Sequence, residues 1–139
     1  VYRRYDASGN AVEIAGKDGT PVSFLWSYNN CFPIARIENA TIDEVCAALE
    51  IESADEWTYD SVPDSDVRVR IGSLRELLPD ARVTTYEYVS LHGVTAITDP
   101  NGVTTRFDYD NYSRLTGSYY LDENARKVML QKYVYHFGK

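Results

Sequence analysis

The sequence predicts a mainly β fold, more fully a β-rich α+β fold in which consecutive antiparallel hairpins are interrupted by a short two-helix insertion. Three observations lead to this prediction. Turn residues recur at short intervals, and the segments between them alternate apolar with polar side chains. Tyr accounts for 12 of the 139 residues, and its ring favours strands. Helical spacing of apolar residues is confined to the stretch from Thr41 to Pro79.

The length of the chain sets its expected domain organisation. A chain of 139 residues can bury a core without disulfides. We therefore expect a single domain over residues 1–139, with β hairpins in 1–40, an acidic helical insertion in 41–79 and β hairpins in 80–139. Val1 stands where an initiator Met would be expected and no charged-then-apolar leader is present, so we expect a mature or excised piece.

Two turn signals near the start of the chain predict the first hairpins. Asp6 and Gly9 have the spacing of a type I turn, and Asp18-Gly19 is a strong hairpin signal. The next strand alternates between two faces. One face carries Val22, Phe24, Trp26 and Tyr28, and the other carries Ser23 and Ser27.

Asn and Pro residues mark the end of that strand and the start of another. Asn29 and Asn30 break the alternating run. Pro33 lacks a backbone N–H, which places the following strand, about Phe32 to Glu38, near an edge or puts Pro33 at a strand start.

Two short helices are predicted next, near residues 42–52 and 66–78. Thr41 and Glu44 form a capping-box pair at the start of the first helix. Ser65 or Asp66 can cap the second helix, which Pro79 ends. The apolar stripes are Ile42, Val45, Cys46 and Leu49 in the first helix, and Val67, Ile71, Leu74 and Leu78 in the second.

The charge of the chain narrows the classes of partner. The net charge is −7, and residues 43–66 contain nine acidic side chains and no Lys or Arg. A basic face for nucleic acid or an anionic membrane is therefore not expected. No run of eighteen apolar residues predicts a membrane span. We interpret the acidic stretch as a solvated surface.

Strand patterning resumes at Arg82 and continues to the end of the chain. Asp99-Pro100-Asn101-Gly102 has the residues of a type I turn, and Val103 to Tyr109 alternates as a half-buried strand. Strands are also expected over Arg82–Tyr88, Val94–Thr98, Arg114–Leu121 and Val128–Phe137. The Asp residues expected to open turns lie at positions 6 and 18 and again at 99, 110 and 122. Their steps of 12, 11 and 12 indicate an internal repeat whose unit is a hairpin.

The segment Asp99-Pro100-x-Gly102-x-x-Thr105-x-x-x-Tyr109-Asp110-x-x-x-Arg114-Leu115 closely resembles the YD repeat of the RHS family. A weaker copy is Tyr5-Asp6-x-x-Gly9-Asn10. Three positions depart from the family pattern: Phe107 replaces Tyr, Ser113 replaces Gly and Asn10 replaces Arg. Loss of Gly at Ser113 predicts a looser turn after Asp110 or a turn of another type.

The resemblance implies a structural function. RHS proteins are large bacterial surface or secreted proteins whose repeats form a hollow β shell, and their activity, often a toxin, lies in a C-terminal segment after the repeats. It thus implies a non-catalytic shell or scaffold segment that encloses or presents such an effector. The implied partners are the remainder of a larger repeat protein and a second copy joined through strand edges. The alternative is a glycan-binding or protein-interaction module at the cell surface.

The residues themselves predict no enzyme, cofactor or metal site. His92 and His136 have no neighbouring nucleophile motif. The pairs Asp108/Asp110 and Asp64/Asp66 could hold a divalent cation, but positions in a strand, a turn or a solvated loop explain them better. Hydrolysis by carboxylates of the acidic segment is the rival hypothesis.

Aromatic and thiol side chains give two further expectations. Trp26 and Trp57 could stack on sugar rings if they are exposed, although strand aromatics are more often buried or paired across strands. Cys31 and Cys46 lack the spacing of a zinc site and predict no disulfide, so we expect two buried thiols.

Overall fold

A computed structural model of the chain describes residues 3–6, 9–16, 18–89, 93–110, 114–121 and 127–132. Within them the mainly β architecture with short helices is confirmed, and each strand hydrogen-bonds to the next strand along the chain. The elements are β1 (Arg3–Tyr5), β2 (Ala11–Ala15), β3 (Pro21–Ser27), β4 (Phe32–Glu38), α1 (Ile42–Leu49), α2 (Ser65–Gly72), α3 (Leu74–Leu77), β5 (Arg82–Val89), β6 (Gly93–Thr98), β7 (Thr104–Tyr109), β8 (Leu115–Leu121) and β9 (Lys127–Lys132).

The chain forms two compact units, Val1–Thr85 and Tyr86–Lys139. Their boundary falls inside β5, which contributes residues to both. The helical insertion therefore belongs wholly to the first unit. The single domain expected over residues 1–139 stays a prediction.

The first unit holds most of the apolar core. In the described chain it contains sixteen of the seventeen buried apolar residues, and the remaining one is Ala96 in the second unit. Its most buried large side chains come from β3, β4, β5, α1 and α3. They are Leu25, Ile37, Val45, Leu74 and Val83, each at most 1% exposed. Helix α1 contacts both β3 and α3, so removal of apolar surface from water holds the helices on the sheet.

Strand β3 buries its serine face. Ser23 and Ser27 are fully buried beside Leu25, whereas Phe24 and Trp26 are only half-buried. The Ser23 hydroxyl donates to the carbonyl of Ala40, 2.7 Å away, just before α1. A small hydroxyl side chain lets the chain that enters α1 lie close to the sheet while its carbonyl stays hydrogen-bonded.

A left-handed turn joins β3 to β4. Tyr28, Asn29 and Asn30 all have positive φ, at 55°, 54° and 70°. Asn enters this region more readily than most residues, which explains the predicted break in the strand. The amides of Asn29 and Asn30 donate to the carbonyls of Asp60 and Thr58 at 2.8 and 2.7 Å. The turn is thereby tied to the loop between α1 and α2.

The helix boundaries confirm some capping predictions and correct others. The capping box of Thr41 and Glu44 is present. Helix α2 is capped by Asp64, one residue before Ser65, the nearer of the two predicted candidates. The Asp64 carboxylate accepts from the amide of Val67 at 2.9 Å. The second predicted helix is two helices, since Gly72 has poor helix propensity and the Ser73 hydroxyl bonds back to the carbonyl of Arg70. No described helix is long and apolar enough to cross a membrane.

The prediction of two buried thiols is wrong for Cys31. Cys31 is exposed, because it follows directly on the left-handed turn, at the surface end of the β3–β4 hairpin. Cys46 on α1 is half-buried, and neither residue forms a disulfide. Pro33 lies near the start of β4, as one of its two predicted positions requires.

Candidate functional site: the aspartate loops

A five-residue loop from Asp99 to Val103 joins β6 to β7. The amide of Asp99 donates to the carbonyl of Val103, and the amide of Gly102 donates to the carbonyl of Asp99, both at 2.9 Å. The Asp99 carboxylate accepts from the amides of Asn101 and Val103, again at 2.9 Å. Gly102 has φ of 85°, which a residue without Cβ adopts freely. One Asp therefore opens and closes this loop.

The loop from Asp110 to Arg114 repeats this scheme and adds an ion pair. The amide of Asp110 donates to the carbonyl of Arg114 at 2.9 Å, and the amide of Arg114 donates to the Asp110 carboxylate at 3.0 Å. The guanidinium of Arg114 also contacts the carboxylate, with Nε and Nη2 each 2.9 Å from Oδ2. Asp110 is thus the turn acceptor that the sequence predicted. The expectation about Ser113 lies outside the described residues.

The loop from Asp6 to Asn10 has the same backbone bonds. The amide of Asp6 donates to the carbonyl of Asn10 at 2.9 Å, and the amide of Asn10 donates to the Asp6 carboxylate at 2.9 Å. The amide of Gly9 donates to the carbonyl of Asp6 at 3.1 Å. Asn10, which replaces the Arg of the pattern, donates its side-chain amide to the carbonyl and side-chain oxygens of Asn30. This loop is therefore tied to the left-handed turn.

The turn predicted at Asp18 opens two residues earlier, at Gly16. The amide of Gly16 donates to the carbonyl of Thr20 at 2.8 Å, and the amide of Gly19 donates to the carbonyl of Gly16 at 2.9 Å. Asp18 is the third residue of this loop and accepts from the amide of Thr20 at 3.0 Å. That backbone hydrogen bond holds the pKa of Asp18 below its usual value. The predicted step of 12 residues from Asp6 to Asp18 is therefore wrong as a distance between loop openings, because the second loop opens at Gly16. The turn predicted at Asp122 lies outside the described residues.

The strand register divides the four loops into two kinds. Before Asp6, Tyr5 pairs with Ala11 and Arg4 pairs with Glu13, which leaves Val12 as a bulge. Before Asp110, the same offsets pair Tyr109 with Leu115 and Asp108 with Gly117, and Thr116 is the bulge. The loops at Gly16 and Asp99 join strands whose pairing has no shift. Both Tyr-Asp loops are therefore bulged, and the other two are not.

Tyr109 is fixed within the second unit. Its hydroxyl donates to the carbonyl of Val94 at 2.5 Å, and burial raises the pKa of this phenol. Tyr5, which precedes the other bulged loop, is 57% exposed. The Tyr of a Tyr-Asp pair thus anchors neighbouring backbone in one loop and is largely exposed in the other.

The other sequence-derived candidates do not assemble into a site. Asp64 caps α2, and in the described part of the chain no three His, Cys, Asp or Glu residues are grouped to hold a metal ion. His92 and His136 lie outside the described residues. Trp57 is buried with the Arg70 guanidinium 5.4 Å from its ring centroid, and the indole N–H of Trp26 donates to the carbonyl of Ala11.

Glu13 is a buried carboxylate that the alternating pattern of β2 did not identify. Its Oε1 accepts from the amide of Ile42, 2.7 Å away at the start of α1, and lies 3.7 Å from the Arg4 guanidinium. The bulge breaks strict alternation, so Val12 and Glu13 are both buried. The predicted helix start at Thr41 was the available signal, because its first amides need acceptors.

A comparison with known protein families gives a match over the segment that contains the Asp99 and Asp110 loops. Residues 89–122 match the family model described as RHS Repeat. This match identifies an RHS repeat within residues 89–122, about a quarter of the chain. The RHS match includes the Asp99 and Asp110 loops, whereas the Asp6 loop, with the register of the Asp110 loop, lies outside it. No significant match was found among curated proteins.

Proposed function

We propose that this chain is a non-catalytic structural segment of a larger RHS-repeat protein, forming part of a β-hairpin shell or surface scaffold. The observation that carries the proposal is the recurrence of one hydrogen-bond scheme in three loops. The carboxylates of Asp6, Asp99 and Asp110 all accept backbone amides of their own loops. Carboxylates used in this way hold hairpins in place and do not form an acid–base pair across a cleft.

Successive pairing explains why such loops suit a wall. A lone hairpin is marginal in water, but each strand here hydrogen-bonds to the next along the chain. The loops at Asp6, Gly16, Asp99 and Asp110 each reverse the chain with hydrogen bonds made within the loop, so further hairpins can follow without a new core at each step. The remainder of the larger protein is the partner this function requires, and a second copy could pair with the outer strands β1 and β9.

The shell would enclose or present a C-terminal effector at the cell surface or after secretion. This part of the proposal is supported by the RHS match at residues 89–122 and by the surface or secreted occurrence of RHS proteins. The activity would then belong to the effector, and the hairpins would keep it apart from its surroundings.

Two measurements on the purified chain test the structural function. Screening against glycosidase, nuclease and peptidase substrates should give no turnover. Asp110→Asn should accelerate amide hydrogen exchange in β7 and β8 while β3 and β4 stay protected. Turnover that Glu52→Gln or Asp110→Asn abolishes would instead establish hydrolysis by carboxylates and defeat the proposal.

The glycan-binding alternative is tested by a sugar array. The two tryptophans do not form an exposed row, because Trp57 is buried and the Trp26 indole is hydrogen-bonded within the first unit. Among the described residues of the first unit, the rings of Tyr5 and Tyr59 are largely exposed. Saturable sugar binding that Tyr59→Ala removes, with the fold retained, would favour the alternative.

A further inference from the structure

The Asp99 loop contains a pair of residues, Asn101 followed by Gly102, that can change chemically without an enzyme. The amide nitrogen of the residue that follows an Asn can attack the side-chain carbonyl of that Asn. Gly in the following position favours this attack, because it has no Cβ to hinder the approach. The chain contains seven Asn residues, and only Asn101 is followed by Gly. Both residues of the pair are exposed, so water and hydroxide reach them.

The reaction is a deamidation that needs only water and a base. The base removes the proton of the Gly102 amide, and the nitrogen forms a bond to Cγ of Asn101. The bond between Cγ and the side-chain nitrogen then breaks, and that nitrogen takes up a proton and leaves as ammonia. Water opens the resulting succinimide at either of its carbonyl groups. Opening at Cγ gives an ordinary aspartate, whereas opening at the main-chain carbonyl gives isoaspartate, whose main chain runs through Cβ and Cγ.

The folded loop opposes the first step, because it holds the nitrogen that must attack. The Gly102 amide donates to the carbonyl of Asp99 at 2.9 Å. The amides of Asn101 and Val103, on either side of it, donate to the Asp99 carboxylate at the same distance. Pro100 has no N–H, so every amide N–H of the loop is hydrogen-bonded within it. These bonds hinder the rotation that would bring the nitrogen to Cγ.

The Gly16 loop has the same closure and a different group beside its Gly. Both loops bond the amide of their fourth residue, a Gly with positive φ, to the carbonyl of their first residue. In the Gly16 loop the third residue is Asp18, whose carboxylate accepts from the amide of Thr20. That bond lowers the pKa of Asp18, so the carboxylate stays ionised and resists attack by an amide nitrogen. Asn101 is the third residue of the Asp99 loop, and its neutral carboxamide lacks this protection.

We propose that Asn101 is a spontaneous deamidation site whose rate is set by the opening of the Asp99 loop. Each opening releases the Gly102 amide and exposes it to base. Loops open and close far faster than an amide nitrogen attacks, so the rate in the folded chain equals the rate in the unfolded chain multiplied by the open fraction. Isoaspartate lengthens the loop and adds a carboxylate near that of Asp99. Deamidation should therefore weaken the closing hydrogen bonds and loosen the β6–β7 hairpin.

The experiment follows deamidation of the full chain at neutral pH, with the same chain unfolded in urea as the reference. Peptide mass mapping measures the extent at Asn101, and cleavage by hydroxylamine, which attacks the succinimide, is a second readout. Native-state hydrogen exchange measures the open fraction of the Gly102 amide. Folding should slow deamidation by the protection factor of that amide, to within about threefold. Equal rates in the folded and unfolded chains, no reaction in either, or a slowing unrelated to this protection would overturn the proposal.

Variants of Asp99 test whether this loop controls the reaction. Asp99→Ala removes the acceptor of two amides, so deamidation at Asn101 and exchange at Gly102 should both accelerate about tenfold. Asp99→Asn retains a carbonyl acceptor and should accelerate both about threefold. The introduced Asn precedes Pro100, which has no N–H, so it cannot react in the same way.

Asp6→Ala is the matched control, because it removes the corresponding carboxylate from a loop of the first unit. It should change the deamidation rate at Asn101 by less than about twofold. Should Asp99→Ala lose its fold, Asp99→Asn still decides the outcome. Faster exchange at Gly102 without faster deamidation would overturn the proposal. Equal acceleration by the Asp99 and Asp6 variants would also overturn it, since general destabilisation would then be the cause.

Discussion

The Asp6 and Asp110 loops are closed by the same hydrogen bonds between their first and fifth residues but have different surroundings. Both are preceded by Tyr, both bond the Asp amide to the carbonyl four residues later, and both are followed by a bulge at the same offset. Yet the guanidinium of Arg114 binds Asp110 of its own loop, whereas the side-chain amide of Asn10 donates to the carbonyl of Asn30. The strand residue two positions before each Asp also has a different partner. Arg4 pairs with buried Glu13, whereas Asp108 pairs with buried Gly117. The hydrogen bonds that close a Tyr-Asp loop therefore form with either set of side chains, and the side chain at the fifth position decides whether the loop is tied to the left-handed turn.

Of the changes that test this comparison, replacement of Glu13 should lower the free energy of unfolding most. Glu13→Ala leaves the Ile42 amide without its acceptor, removes a partner of Arg4 and opens a cavity, so we expect a loss of about 2–4 kcal/mol in the free energy of unfolding. Urea unfolding followed by tryptophan fluorescence measures it. Glu56→Ala, at an exposed side chain, is the control and should stay within about 0.5 kcal/mol. A loss for Glu13→Ala no greater than for this control would show that the Glu13 carboxylate does not anchor α1.

Asp110→Ala should destabilise its hairpin more than Asp6→Ala destabilises the first. The Asp110 carboxylate accepts from the Arg114 amide and from its guanidinium, so its loss should cost about 1.5–3 kcal/mol. The corresponding cost at Asp6 should be about 1 kcal/mol, because its carboxylate accepts from the backbone amide of Asn10. Amide exchange at Arg114 and Asn10 measures each loop separately. The reverse order of protection losses would contradict the comparison.

Exchanging the fourth residues should reverse the difference between the loops. Asn10→Arg should release Asn30 and add a pair with Asp6, and Arg114→Asn should remove the ion pair with Asp110. Because these groups are partly exposed, each change should stay within about 1 kcal/mol. High salt should weaken the stability of Asn10→Arg relative to the wild type and should affect Arg114→Asn less than the wild type. Identical salt dependence in all three proteins would be inconsistent with this assignment.

The smallest expected effect concerns Asp18, which occupies the third position of an unbulged loop. Its pKa is lowered from the ordinary 3.8 by the amide of Thr20, so the folded chain holds the ionised form more strongly than the unfolded chain does. This contribution is present above pH 3.8 and disappears as the pH falls through the lower folded pKa. Asp18→Asn should therefore reduce stability slightly at neutral pH and not at the most acidic pH. An NMR titration of the carboxylate with a midpoint at or above the ordinary value would refute it.

The elements that could be predicted from sequence are those specified by neighbouring residues. The Asp99 loop, the strand before Asp110, β4 and the capping box of α1 each depend on side chains within a few positions of one another. The opening at Gly16 was missed because Asp18-Gly19 also satisfies a turn pattern, and only the hydrogen bonds to Gly16 choose between the two frames. The burial of Glu13 depends on a bulge and on a helix start almost thirty residues later. Such partners, distant along the chain, leave no periodic signal.

The difference between bulged and unbulged loops also bears on how a repetitive chain folds. Hairpins of similar sequence compete for one another's strands while the chain is collapsing, and a pairing displaced by one residue exchanges the two faces of a strand. The two strands of each Tyr-Asp hairpin pair with one residue skipped, whereas the strands joined at Gly16 and at Asp99 pair with none skipped. A strand that meets the wrong partner cannot satisfy both its loop and its ladder. The skipped residue thus disfavours pairing between a strand of a Tyr-Asp hairpin and a strand of the hairpins at Gly16 and Asp99.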